Sequence, residues 1–124
     1  MDQGSLVSSG QALVRALDES GLPPRAAMWV HETENDNWRL WLVPPKGTTD
    51  RRDFFLQIAK IVAENRLRLG GFDTGDARMV LDDHPAIKGL RSYMKVPGLN
   101  NIFFPGNKFE GYYLPEGIIL RLDS

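Results

Sequence analysis

A chain of 124 residues with 42% hydrophobic and 25% charged residues has the size and makeup of one domain with a core of its own. The absence of cysteine excludes disulfides, thiolate catalysis and cysteine-ligated zinc, and fits a reducing, cytoplasmic setting. A net charge of −1, from 15 basic and 16 acidic residues, argues against a dedicated nucleic-acid binder, and no run nears the roughly 18 apolar residues of a membrane span.

The charge is unevenly spread. Residues 1–50 hold 4 basic and 7 acidic side chains, whereas residues 84–109 hold Lys88, Arg91, Lys95 and Lys108 and no acid. Met1 to Gly10 lacks the basic-then-apolar order of a secretion signal, and residues 1–7 are expected to fray. The first helix is expected over 8–20. Ser8 or Ser9 can cap it, Leu13, Val14 and Leu17 recur at helical spacing, and Gly21 with Pro23-Pro24 stops it.

Residues 25–32 and 37–44 read as a β-hairpin around the polar link Thr33 to Asn37. The strongest helix signal spans 50–68. Thr49 or Asp50 caps it, and Phe54, Phe55, Ile58, Ile61, Val62 and Leu69 make the apolar stripe that ends at Gly70-Gly71. A short strand follows at 77–82. Asp83, His84 and Pro85 then open a helix that runs to about Met94.

The last third reads as a meander of three strands. Ile102 to Phe104, Phe109 to Leu114 and Ile118 to Asp123 are separated by Pro105-Gly106-Asn107 and Pro115-Glu116-Gly117, with Ile118, Leu120 and Leu122 on one face. The reading is an α+β fold in the order α-β-β-α-β-α-β-β-β. Its sheet is mainly antiparallel and its helices pack on one face.

A five-residue loop 33–37 would close the first hairpin on Glu32 opposite Trp38. That register sets Trp29 across from Trp41 and His31 across from Arg39. It leaves Met28, Val30, Trp38, Leu40 and Leu42 on the face that receives the long helix. Trp29, His31, Arg39 and Trp41 then form a binding face of two indoles beside a guanidinium and an imidazole. Such a face suits a protein partner, a second copy of the chain, or a stacked ligand. The competing reading is that other segments cover the two indoles as ordinary core.

Signals for chemistry are sparse. Asp82 and His84 are two metal ligands in search of a third, and Asp73, Asp76, Asp82 and Asp83 with Lys88 are the acids and lysine a metal-dependent hydrolase or nuclease would use. A strand end feeding a helix cap accounts for Asp82, Asp83 and His84 more simply. Gly70 to Gly75 follows a helix instead of a strand, the wrong order for a phosphate loop, and Ser92 stands near basic residues with no histidine beside it. Nothing in the sequence calls for a cofactor. Residues 91–113 combine Tyr93, Lys95, Asn100, Asn101, Phe103, Lys108, Phe109, Tyr112 and Tyr113, a mixture suited to single-stranded nucleic acid. Aromatic enrichment in strands explains it as well.

The runs Ala26-Ala27-Met28-Trp29-Val30 and Trp38-Arg39-Leu40-Trp41-Leu42-Val43 occur with the closing Gly111-Tyr112-Tyr113 and Ile118 to Leu122. Together they resemble a group of small uncharacterised bacterial α+β proteins. The resemblance covers most of the chain and implies a bacterial cytoplasmic origin; the group has no assigned activity.

Overall fold

The structure is a computed structural model and describes residues 3–34, 36–48 and 50–123. Among these residues the elements are α1 (Gln3–Glu19), β1 (Ala26–Glu32), β2 (Asn37–Val43), α2 (Arg51–Glu64), β3 (Ala77–Met79), α3 (Pro85–Tyr93), β4 (Ile102–Phe104), β5 (Asn107–Phe109), β6 (Tyr112–Leu114) and β7 (Gly117–Leu122). Five strands form one sheet in the order β3-β2-β1-β7-β4, and β5 pairs with β6 apart from it. The sheet is antiparallel except for β2 with β3, so the α+β reading with a mainly antiparallel sheet holds.

Strands β1, β2 and β7 are buried on both faces over most of their length. A strand buried on both faces needs a cover on each side, because neither row of apolar side chains can be left in water. Helices α1 and α2 supply one cover over Ala27, Trp29, Leu40, Leu42, Ile118 and Leu120. The other cover is α3 with the β5–β6 hairpin, over Ala26, Met28, Val30, Trp41, Val43 and Ile119. The expectation of helices on one face therefore holds for α1 and α2 only, and α3 crosses to the opposite side.

Helix α1 begins at Gln3, five residues before its expected start, because Leu6 extends the buried stripe of Leu13 and Leu17 by two turns. Its contact with the sheet is close. The Trp29 indole N–H donates to the Leu6 carbonyl at 2.7 Å, and a Cβ on Gly10 would stand 2.6 Å from both Trp29 Nε1 and Leu120 Cδ1. Helix α2 is capped by the Asp50 carboxylate, which accepts from the Asp53 amide at 3.1 Å; Thr49, the alternative cap, lies outside the described residues. The helix stops at Glu64, four residues early, and a turn carries Leu69 back into the core.

Strand β3 is also shorter than expected and ends at Met79, which leaves Asp82 and Asp83 outside it. Phe109 to Leu114 is a tight hairpin instead of one strand, since Glu110 and Gly111 take consecutive positive φ angles of 49° and 84°, as a two-residue primed turn requires. The last third is accordingly not a meander, because β4 and β1 flank β7 while β5 and β6 pair only with each other. A bulge opposite Ala27 and Met28 turns Leu122 away from Ile118 and Leu120 and onto the α3 side.

The close approach at Gly10 yields a test. Alanine is the better helix former by about 1 kcal/mol, yet its methyl collides with an indole fixed by a hydrogen bond. We expect Gly10→Ala to lower stability by about 1–3 kcal/mol in urea unfolding, the range for overpacking a filled core. A stabilised variant would show that α1 rests on the sheet more loosely than described.

Candidate functional site

The first hairpin pairs Glu32 with Asn37, and with them Trp29 with Leu40, Met28 with Trp41 and His31 with Trp38. The loop is therefore one residue shorter than expected, with Asp36 held at a φ of 51°. A one-residue difference in register moves one strand's side chains to the opposite face. The expected surface of Trp29, His31, Arg39 and Trp41 is thereby split in two. Trp29 and His31 share one face, and Arg39 and Trp41 share the other. Trp29 and Trp41 are each 1% exposed, so both belong to the core.

His31 lies flat on Trp38, with ring centroids 4.8 Å apart, between two carboxylates. Nε2 is 2.7 Å from Asp36 on the hairpin loop, and Nδ1 is 3.3 Å from Glu116 on the turn before β7. Hydrogen bonds to Asp36 and Glu116 raise its pKa above the ordinary histidine value.

The opposite face holds a denser constellation at the β1–β2 end of the sheet. Glu32 is 20% exposed, and its Oε2 accepts from Trp41 Nε1 at 3.3 Å and from Arg78 NH1 at 3.2 Å. Arg39 Nε stands 3.9 Å from the other oxygen. Parallel pairing of β3 with β2 sets Arg78 beside Trp41, and its guanidinium lies 5.0 Å from the indole centroid. The indole also meets His84 edge-on at 5.3 Å and Tyr112 at 6.3 Å, and His84 meets Tyr112 at 4.6 Å. One aromatic floor thus carries one stacked guanidinium, which keeps 42% of its side chain exposed.

Two concavities flank Arg78. The first, about 350 Å³, lies under the hairpin loop between Glu32, Glu34, Trp41, Tyr112 and Tyr113. The second, about 330 Å³, lies where α3 begins, between Arg51, Leu81, Asp83 and His84. Arg78 lines both, so the two concavities adjoin at edge strand β3 as a groove with the guanidinium across its middle. A partly apolar concavity with a few convergent polar groups is the arrangement expected of a binding site.

His84 caps α3, with Nδ1 accepting from the Ala86 amide at 3.1 Å and Pro85 following in the first turn. The cap expected of an aspartate is therefore made by the imidazole. Burial, then the nearby Arg78 charge, holds the His84 pKa below the ordinary value. The neutral ring keeps its proton on Nε2, since Nδ1 is an acceptor.

Asp82 is committed elsewhere, paired with Arg25 at 3.0 Å and with Arg91. Asp73 caps the short 3-10 turn Thr74–Asp76 through the Gly75 amide. Among the described residues no three His, Asp or Glu side chains gather closely enough to hold a metal ion. The aromatic and basic residues of 91–113 are dispersed: Tyr93 on α3, Lys95 between α3 and β4, Phe103 on β4, and Lys108, Phe109, Tyr112 and Tyr113 on the β5–β6 hairpin, with Phe109 buried. No described helix is long and apolar enough to cross a membrane.

The sequence reading missed Glu32 and Arg78 as site residues. The one available signal was a lone charge between Ala77 and Met79 in a short apolar strand. No protein-family model, curated protein or solved structure matches this chain.

The two histidines give opposite pH dependences. The folded-state pKa of His31 is raised, so its contribution is complete below about 6.5 and is lost as pH rises through the folded value. That of His84 is lowered, so its contribution is complete above about 6.5 and is lost as pH falls through the folded value. We expect the His31 ring resonance to titrate above that of His84 in an NMR pH series. His31→Gln should remove the loss of stability on the alkaline side, and His84→Asn the loss on the acid side. The reverse order of titration would refute both assignments.

Proposed function

We propose that this chain is a cytoplasmic binding module that receives an extended segment of a protein partner in the groove over β3. The observation that carries this reading is the Arg78 guanidinium, fixed by Glu32 above the Trp41 ring and open to solvent between two concavities. Its free donors and flat face suit a peptide's side chains and carbonyls. Arginine and aromatic residues held in place in advance lose little entropy on binding. Of the surface read from the sequence the groove keeps only Trp41, with Arg78 and Tyr112 beside it, while Arg39 lies outside both concavities.

The indole N–H of Trp41 donates into the groove's floor and so reports on it. In an NMR titration of the 15N-labelled chain, p-cresol, a mimic of the tyrosine side chain, is expected to shift the Trp41 indole and spare that of Trp29. Arg78→Ala and Tyr113→Ala should each remove the response; Tyr113→Ala should keep stability within about 0.5 kcal/mol of the parent, whereas Arg78→Ala should cost about 1–3 kcal/mol because it strips the partly buried Glu32 of its guanidinium partner. An unmoved Trp41 indole, or a shift that survives in both variants, would overturn the proposal.

Self-association is the second reading. Edge strand β4 pairs on one side only and exposes Ile102 and Phe103, the latter at 54%. If β4 joins two copies, sedimentation should give a dimer for the parent and a monomer for Phe103→Ser. A monomeric parent would end this reading without touching the first.

A further inference from the structure

We infer that the groove selects its peptide by charge order, holding a basic side chain at the hairpin-loop end and a carboxylate at the end where α3 begins. This rests on the peptide-binding reading above and adds the chemistry of the ligand. The concavity under the loop is lined by two acids, Glu32 and Glu34, against one base, Arg78. The concavity beside α3 reverses the balance, with Arg51 and Arg78 against Asp83.

The charges nearest the two ends are uncommitted. Neither Glu34 nor Arg51 forms an ion pair with a described residue, whereas Glu32 and Arg78 are tied to each other in the middle. The neutral His84 ring contributes an Nε2–H donor to the basic end without adding charge. An extended peptide with lysine or arginine toward the loop and aspartate, glutamate or a chain terminus toward α3 complements both ends. The reversed order sets like charges against each other.

The test uses the intact 15N-labelled chain and three simple probes: ethylguanidinium, acetate and inorganic phosphate. Ethylguanidinium is expected to shift the Trp41 indole and the amides of Glu32 and Glu34. Acetate should shift those of Leu81, Asp83 and His84, and inorganic phosphate, as a second anion, the same three. Glu34→Gln should weaken ethylguanidinium alone and Arg51→Gln acetate alone, each by about two- to fivefold, the effect of one exposed ion pair.

Both probes acting on one end, either substitution weakening both probes equally, or phosphate shifting the loop-end amides would overturn the inference. If p-cresol still shifts the Trp41 indole in an Arg78-dependent way, the groove remains a binding site and only its charge order is wrong. If p-cresol fails as well, the binding reading falls with it.

Discussion

The pairing of Trp29 with Leu40 is the constraint on which this molecule turns. It sends the two fully buried indoles of the first hairpin to opposite faces of a sheet whose central strands are buried on both sides. Each indole then anchors one layer. Trp29 receives α1, which must carry glycine at position 10 to come close enough for the Leu6 carbonyl to accept the indole N–H. Trp41 receives α3 and the β5–β6 hairpin, and it becomes the floor of the groove. A slip of one residue would leave an indole facing the wrong cover, with no acceptor for its N–H.

Glu32 is the polar counterpart of that arrangement. It sits where β1 leaves the core, and it satisfies the Trp41 indole and Arg78 with one oxygen while Arg39 approaches the other. Truncating it would leave an indole donor and a guanidinium facing each other in a partly buried pocket, the costly direction for a polar network. The same carboxylate ties edge strand β3 to the hairpin. The centre of the groove, Arg78 over Trp41, is therefore braced from the sheet. His84 completes the bracing from the other side, capping α3 with one nitrogen while its ring packs on Trp41 and Tyr112.

Charge use separates structural groups from available ones. Asp82 is consumed by Arg25 and Arg91, Asp18 by Arg121, and Glu19 by Arg68. These pairs clamp segments far apart in the chain, such as α1 to β7 through Asp18 and Arg121 at 2.8 Å. An acid between two guanidinium groups is a poor metal ligand, because the cation must displace both. That geometry, more than a count of acids, weakens the hydrolase reading of Asp82, Asp83 and His84.

Much of the fold was legible in the sequence, because its signals are local. The helical spacing of Phe54, Ile58 and Ile61, the proline at the start of α3 and the apolar strands around the first loop each follow from short-range sterics and burial. The helix ends were less legible, since Leu6 and Leu69 gain their places only from the surfaces they cover. Register was not legible. Loops of four and of five residues both satisfy the composition of the link, and only the packing of two separate covers selects the shorter one.

The site followed the register. Arg39 and Trp41 were readable as partners on one face. Arg78 and Glu32 could not be joined to them from sequence, because a parallel strand so far along the chain carries no mark of where it will pair. Composition and periodicity thus determined the elements and the makeup of the core. The tertiary structure decided which faces meet and which charges stay free, because those outcomes depend on contacts between segments distant in the chain.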